Sequence, residues 1–324
     1  MKFRTILLGA TTAMSLALPA VAQDVTIRVA YENNPGEPVD QVVNHWAELV
    51  DTASEGKVKL ELFPSSQLGA KQDVIEQGML GVNVITIADA AFLTDYEPDL
   101  GILMGPYLTD STADLFKIYD SEWFKEKEKA LQEKGIHIVI SNYLYGTRQL
   151  LTKTKIETPD DLQGLKIRTP NNNMQIKTIE AMGGTPTPMP LGDVYPALTQ
   201  GVIDGVENPL AVLYGQKLHE QAKELSMISY LNNTALWLGG QAYFDTLDPA
   251  VVEMLHETGY QAGLFSQELA GKEDARVLEE MKAGGVTVTT PDLTPFKERA
   301  MAVYSEFPEW TPGLYDTIQA QLAE

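Results

Sequence analysis

The chain has 324 residues, 44% of them hydrophobic, no cysteine and a net charge of −21 at pH 7. So acidic a surface argues against nucleic acid or anionic membrane as a partner, and an anionic ligand would have to be caught by local cations. Without cysteine there is no disulfide, thiolate nucleophile or thiolate metal site.

Lys2 and Arg4 precede an apolar run from Ile6 to Leu18 and then Pro19-Ala20-Val21-Ala22. That order is a secretory signal peptide, and the run is too short to span a bilayer. Residues 1–22 are therefore expected to be cleaved on export to the periplasm. Loss of Lys2 and Arg4 leaves about 300 residues at a net charge of −23, enough for two domains.

Asp24–Ala30 alternates as a half-buried strand, and Val39–Ala53 carries Val42, Trp46, Leu49 and Val50 at helical spacing. Lys57–Phe63 alternates strictly, a strand; a helix is expected near Gln72–Leu80 and a short apolar strand over Val84–Ile87. Leu100–Leu108 reads as a loop or broken helix. Thr112–Gly135 reads as one helical stretch with a solvated charged face, and Ile136–Asn142 as a buried strand. This β-α-β-α-β order predicts a three-layer α/β domain with a largely parallel sheet.

The pattern restarts after Gly146. TPDDLQG (158–164) reads as a short capped turn, with Thr158 or Asp160 as N-cap and Gly164 at the end. LKIR is then a short buried strand that brings Arg168 to its C-terminal end, just before Pro170. A guanidinium fixed there suits planar, two-pronged capture of a carboxylate, because its donor fork matches the two oxygens. Arg148 lies twenty residues earlier, in YGTRQ. Helices near Asn173–Met182 and Asp193–Thr199 follow, then a strand-like Leu236–Phe244 returning toward the first domain. Pro249–Lys282 reads as a long helix of roughly 50 Å if continuous, Gly285–Pro291 as a strand, and a last helix runs from Pro295.

Enzyme signatures are absent: no GxSxG, GxxxxGK, HExxH or GxGxxG occurs. His45, His137, His219 and His256 are scattered, His137 in a strand and the others on helical patterns. Glu207 has no second carboxylate or histidine at ligand spacing, so neither metal nor cofactor is expected.

LFPSSQLG (62–69), GTRQ, TPDDLQGLKIRTPN, GGTPTPMPLGDVY, ALTQGVIDGVENP and VTTPDLTPFKE keep one order over essentially the whole mature chain. With these pieces the sequence resembles the substrate-binding proteins of tripartite ATP-independent periplasmic (TRAP) transporters, of the dicarboxylate- and sialic-acid-binding type. The resemblance implies a two-domain α/β periplasmic-binding-protein fold, with a ligand cleft between the domains and a long helix spanning both. Domain I would be residues 23–145 plus 235–272, and domain II residues 146–234 plus 273–324. It implies no enzyme activity, a small organic anion as ligand, membrane permease subunits as partners, and a monomer.

By resemblance Arg168 makes the main salt bridge to the ligand carboxylate, Arg148 supports it and Asn208 hydrogen-bonds it; Glu32, Lys71 and Asp89 contribute from the first domain. Three positions depart from the sialic-acid pattern: Lys71 replaces an acid, Phe92 an arginine and Leu191 an aromatic residue. The carboxylate end of the site matches and the distal end differs. The ligand expected is a C4-dicarboxylate or a sugar acid; a sulfonate- or sialic-acid-binding member and a periplasmic ligand-sensing subunit are the alternatives. Phe92 suits a less polar ligand tail, and Trp237 packs either in the cleft or in the crossing between domains.

Overall fold

The computed structural model describes residues 25–323; the expected signal peptide lies outside them. The strands are β1 (Val25–Ala30), β2 (Val58–Phe63), β3 (Val84–Ala88), β4 (Ile136–Thr152), β5 (Lys166–Thr169), β6 (Thr185–Pro188), β7 (Gly205–Pro209), β8 (Glu224–Gly240) and β9 (Thr287–Thr289). They form one sheet in the order β2-β1-β3-β8-β4-β7-β5-β6, with β9 added to β8.

Two parallel sets, β2-β1-β3 and β7-β5-β6, are joined by an antiparallel pair of 17-residue strands, β4 and β8. These run from Ile136 opposite Gly240 to Thr152 opposite Glu224. The sheet is therefore mixed rather than largely parallel, and its centre is the crossing itself. Gly146 sits inside β4 at φ +127°, next to a register shift, where an added Cβ would lie 2.9 Å from Pro209 Cβ. Only glycine meets both demands.

The predicted helix over 112–135 is two helices, Thr112–Asp120 and Glu122–Glu133. Ser121 is extended, and its hydroxyl accepts from the Phe124 amide, ending one helix and capping the next. GGTPTPMP contains the edge strand β6, where prolines cost no ladder bond on the outer side. The long helix is continuous over Pro249–Ala283. Its glycines serve close packing: an added Cβ at Gly259 would meet Ile140 Cγ1 at 2.7 Å, and one at Gly263 would meet Asn142 Oδ1 at 1.9 Å. The helix thus lies almost against the backbone of β4.

The core falls into several clusters. Trp46, Tyr143 and Trp237 pack between β4, β8 and the helix Pro38–Ala53. Leu191, Val194, Leu198 and Leu213 pack around β7. A third cluster takes Leu103, Leu115 and Phe124 together with Ile167, Ile179, Phe296 and Ile318, so the C-terminal helices pack with segments that precede β4 and segments that follow it. Among the described residues, no helix is long and apolar enough to cross a membrane.

Candidate functional site

Glu32 and Asp89 follow the C-terminal ends of the parallel strands β1 and β3, Arg168 closes β5, and Lys71 opens the helix Lys71–Met79. In open α/β sheets this is where ligands bind, because strand ends and helix starts converge there with free backbone and side-chain groups. The crossing strands bring Arg148, Tyr230 and Asn233, and the adjoining β7 brings Glu207 and Asn208, to the same place.

A buried polar chain runs through these residues. Lys71 Nζ lies 3.6 Å from Glu32 Oε2 and 3.7 Å from Asp89 Oδ2. It also stands 4.7 Å from the centre of the Phe92 ring, a cation–π contact. Asn233 Nδ2 donates to Asp89 Oδ1 at 2.9 Å, and Asn233 Oδ1 accepts from Arg148 Nη1 at 2.7 Å. Arg148 Nη2 donates to Glu207 Oε1 at 2.8 Å and to the Glu207 carbonyl at 3.0 Å, and its Nε pairs with Glu207 Oε2. The Tyr230 hydroxyl donates to the same carboxylate. Burial works against the charge on Arg148, but Glu207 reverses this and holds the guanidinium above its ordinary range.

Arg168 differs. It is 3% exposed, and its Nε and Nη2 donate to the Met189 carbonyl at 3.0 and 2.8 Å. Among the described residues no carboxylate lies within salt-bridge distance of it. Burial depresses its pKa, Glu207 and Glu32 oppose that, and Arg148 adds to it. The Asn208 carboxamide is likewise buried and makes no hydrogen bond within the described residues. Neither side chain is among the buried polar groups left without a partner, so the free donors and acceptors of Arg168 and Asn208 stay reachable by a ligand or water.

Leu191 belongs to the cluster around β7, and Phe92 packs with Leu93 and Leu103; both are buried. Trp237 is fully buried against Tyr31, Trp46 and Tyr143, a core residue of the crossing. Glu207, examined in the sequence only as a metal ligand, is the counter-ion of Arg148.

Asn233, Tyr230, Asn33 and Glu37 take part without being singled out by sequence. A signal existed for one of them: Asn232-Asn233-Thr234 interrupts an otherwise apolar strand. Asn33 Nδ2, the Asn34 amide and Gln216 Nε2 all donate to Glu37, at 2.7, 2.9 and 2.7 Å. Asn34 Nδ2 also reaches the Gly215 carbonyl at 3.4 Å. These contacts join the loop after β1 to the helix Leu210–Gly215 after β7, at the side of the site. Burial pushes the Glu37 carboxyl up to about 7 against those three donors.

Residues 29–309 match the bacterial extracellular solute-binding protein family 7. The chain belongs to that family. These are the solute-binding proteins of TRAP transporters, not enzymes, and they are periplasmic. A crystal structure of a TRAP periplasmic solute-binding protein from Ochrobacterium anthropi with bound L-fuconate is 59% identical, with a TM-score of 0.91; the match covers 92% of this chain and 99% of that one. One from Actinobacillus succinogenes with bound L-galactonate is 40% identical at the same TM-score and coverage. The sialic acid-binding periplasmic protein SiaP of Vibrio cholerae is 26% identical over 291 residues, 90% of this chain and 91% of that protein.

Proposed function

We propose that this solute-binding protein captures a sugar acid bearing one carboxylate, an open-chain aldonate of the L-fuconate or L-galactonate kind, and delivers it to a TRAP membrane permease. The observation that carries the reading is the distribution of charge around the three cations of the site. Lys71 already faces two acids, Glu32 and Asp89, and Arg148 is saturated by Glu207. Arg168 alone lacks an acid. One carboxylate therefore has a strong partner, as a charge-assisted, two-pronged pair. A second anionic group near Lys71 would meet Glu32 and Asp89, where like charges repel. Hydroxyl groups suit that end, since both acids can accept from them.

Phe92 beside Lys71 supports a ligand with a less polar end, such as a methyl group. The bound L-fuconate and L-galactonate of the two similar proteins support the same class. Bridging both halves of the sheet, the ligand would favour the closed arrangement and shift the population toward it. Contacts from Asn34 and Glu37 to Gly215 and Gln216 would hold that arrangement.

Isothermal titration with L-fuconate, L-galactonate, succinate and sn-glycerol 3-phosphate tests the reading. Tightest binding to an aldonate is expected. Tightest binding to succinate would mean that Lys71 accepts a second carboxylate despite its two neighbours, and the reading would fall.

A further inference from the structure

Three polar side chains on one short stretch, Thr169, Asn172 and Gln175, are buried without using their hydrogen-bonding capacity. Thr169 and Gln175 are 0% exposed and Asn172 is 5% exposed. Thr169 Oγ1, Asn172 Nδ2 and both Gln175 Nε2 and Oε1 have no partner among the described residues and are sealed from solvent. A buried carboxamide with neither end satisfied costs stability unless another group completes it. Asn172 Oδ1, by contrast, accepts from the Gln175 amide at 3.0 Å and caps the helix Asn173–Met182. Its Nδ2 is left turned away from that helix.

Strand register and helix pitch put the three in one row. β5 pairs in parallel with β6, so the helix between them runs back antiparallel to β5. Ile179 of the helix packs with Ile167 of β5, and an added Cβ at Gly184 would meet both, at 2.9 and 3.3 Å. Gln175 is four residues before Ile179, about 6 Å nearer the C-terminal end of β5. Thr169 is two residues after Ile167, about 6.6 Å in the same direction and on the same face of the sheet. Gln175 thus stands over Thr169, with Asn172 at the helix start just beyond. Arg168 points to the opposite face by strand alternation.

This is the strand-end edge that carries the candidate ligand site. Glu207 on β7 is one residue past the Arg168–Val206 pair, level with Thr169 and on its face. Its carboxylate is taken by Arg148 and Tyr230. The helix Asn173–Met182 also packs on the segment Pro98–Met104, and Met104 Sδ lies 3.9 Å from Asn233 Nδ2. The row therefore borders the cluster of Arg148, Glu207 and Asn233.

We propose that Thr169, Asn172 and Gln175 are specificity-determining residues that read the hydroxyl groups on the carbons next to the ligand carboxylate. The inference rests on the aldonate reading of the site and extends it. None of the three is charged, so they suit neither a second carboxylate nor a cation. A hydroxyl both gives and accepts hydrogen bonds, and the row offers both kinds: a carboxamide oxygen to accept, two amide NH₂ groups to donate, and a hydroxyl that does either. With Arg168 holding the carboxylate, the first hydroxyl-bearing carbons come next to Thr169. The last torsion of glutamine is broad, so the carboxamide can turn to meet them. A ligand without those hydroxyls leaves the row unsatisfied and is rejected.

Calorimetric titration with L-galactonate and its 2-deoxy and 3-deoxy analogues is the test. The wild type should bind at least one deoxy analogue roughly tenfold or more weakly than L-galactonate. Gln175→Leu nearly keeps the volume and removes the carboxamide. Without ligand it should melt no lower than the wild type, which a merely structural role would not allow. It should lose roughly tenfold or more in affinity for L-galactonate and no longer distinguish the analogues. Asn172→Ser, which keeps an oxygen for the helix cap, should weaken L-galactonate binding in the same sense. Equal affinities for all three acids in the wild type, or unchanged discrimination in Gln175→Leu, overturns the assignment and makes the row a place for buried water. A wild type that binds no aldonate overturns the aldonate reading and the assignment together. Should Gln175→Leu fail to fold, wild type labelled with ¹⁵N-glutamine decides: the Gln175 side-chain resonance should move on saturation with L-galactonate, and one that stays in place overturns the role.

Discussion

Arg148 and Glu207 are bound to each other side chain to side chain and side chain to backbone, across the β4–β7 pairing, with Arg148 2% exposed and Glu207 fully buried. Asn233 and Tyr230 on β8 complete the contacts. The relationship ties three strands at the crossing and sets the charge that faces Arg168.

Removing one member of this pair strands the other. Glu207→Gln leaves a buried guanidinium without its counter-ion and is expected to cost about 3–5 kcal/mol in urea unfolding. A double change, Arg148→Met with Glu207→Leu, should cost clearly less than the sum of the two singles, since neither charge is then left alone. Additive costs would show that the pair is not coupled.

Arg168→Ala should disturb folding less than Glu207→Gln, because Arg168 is in no ion pair within the described residues and its side-chain hydrogen bonds go to the Met189 carbonyl. Its effect should fall on the ligand. A loss of about 2–5 kcal/mol in aldonate affinity is expected by calorimetry, with Arg168→Lys recovering only part of it, since a point charge lacks the paired donors. Unchanged affinity in Arg168→Ala would move the anchor elsewhere.

Glu37 makes stability depend on pH. Its folded pKa of about 7 lies above the ordinary 4.5, so between these values the folded chain holds more protons than the unfolded one. Stability from this group therefore falls as pH rises from 4.5 to 7, by at most about 3 kcal/mol. Asp274, raised to about 6 by burial, acts in the same sense. His137, His219 and His256, held low by burial, act in the opposite sense near and below 6.5. The measurement is thus the difference between wild type and Glu37→Gln: melting temperatures at pH 5 and 7.5 should show a more negative pH slope in the wild type. Parallel profiles would remove Glu37 from the account.

Two glycines should respond in opposite directions to alanine. Gly271 lies in the long helix with nothing within 4 Å of an added Cβ, so Gly271→Ala should stabilise by about 0.5–1 kcal/mol. An added Cβ at Gly240 would fall 1.7 Å from the Gly78 carbonyl oxygen, a backbone atom that cannot swing aside. Gly240→Ala should destabilise by about 1–3 kcal/mol or more. Differential scanning calorimetry of the two variants reads both signs.

What sequence alone determined was local or repeated in a fixed order. Strict alternation located β1 and β2, the helical spacing of Val42 and Trp46 located the first helix, and the Asn173–Met182 helix was read to the residue. The position of Arg168 at a strand end was legible because a strand, a proline and a guanidinium stand together. The ordered motifs carried the family and the two-domain fold.

Long-range pairing was decided only by the tertiary structure. Strands β4 and β8 are each about twice the length their apolar cores suggest, because polar stretches such as Asn232-Asn233-Thr234 are held extended by a neighbour some 85 residues away. No local pattern tells whether Lys71 meets an anion or is already neutralised, since Glu32 and Asp89 reach it from separate strands. Nor does spacing along the chain hint that His137 and His256 touch. Charge pairing and hydrogen-bond geometry depend on separations of about 3 Å in space, and only the folded chain sets those.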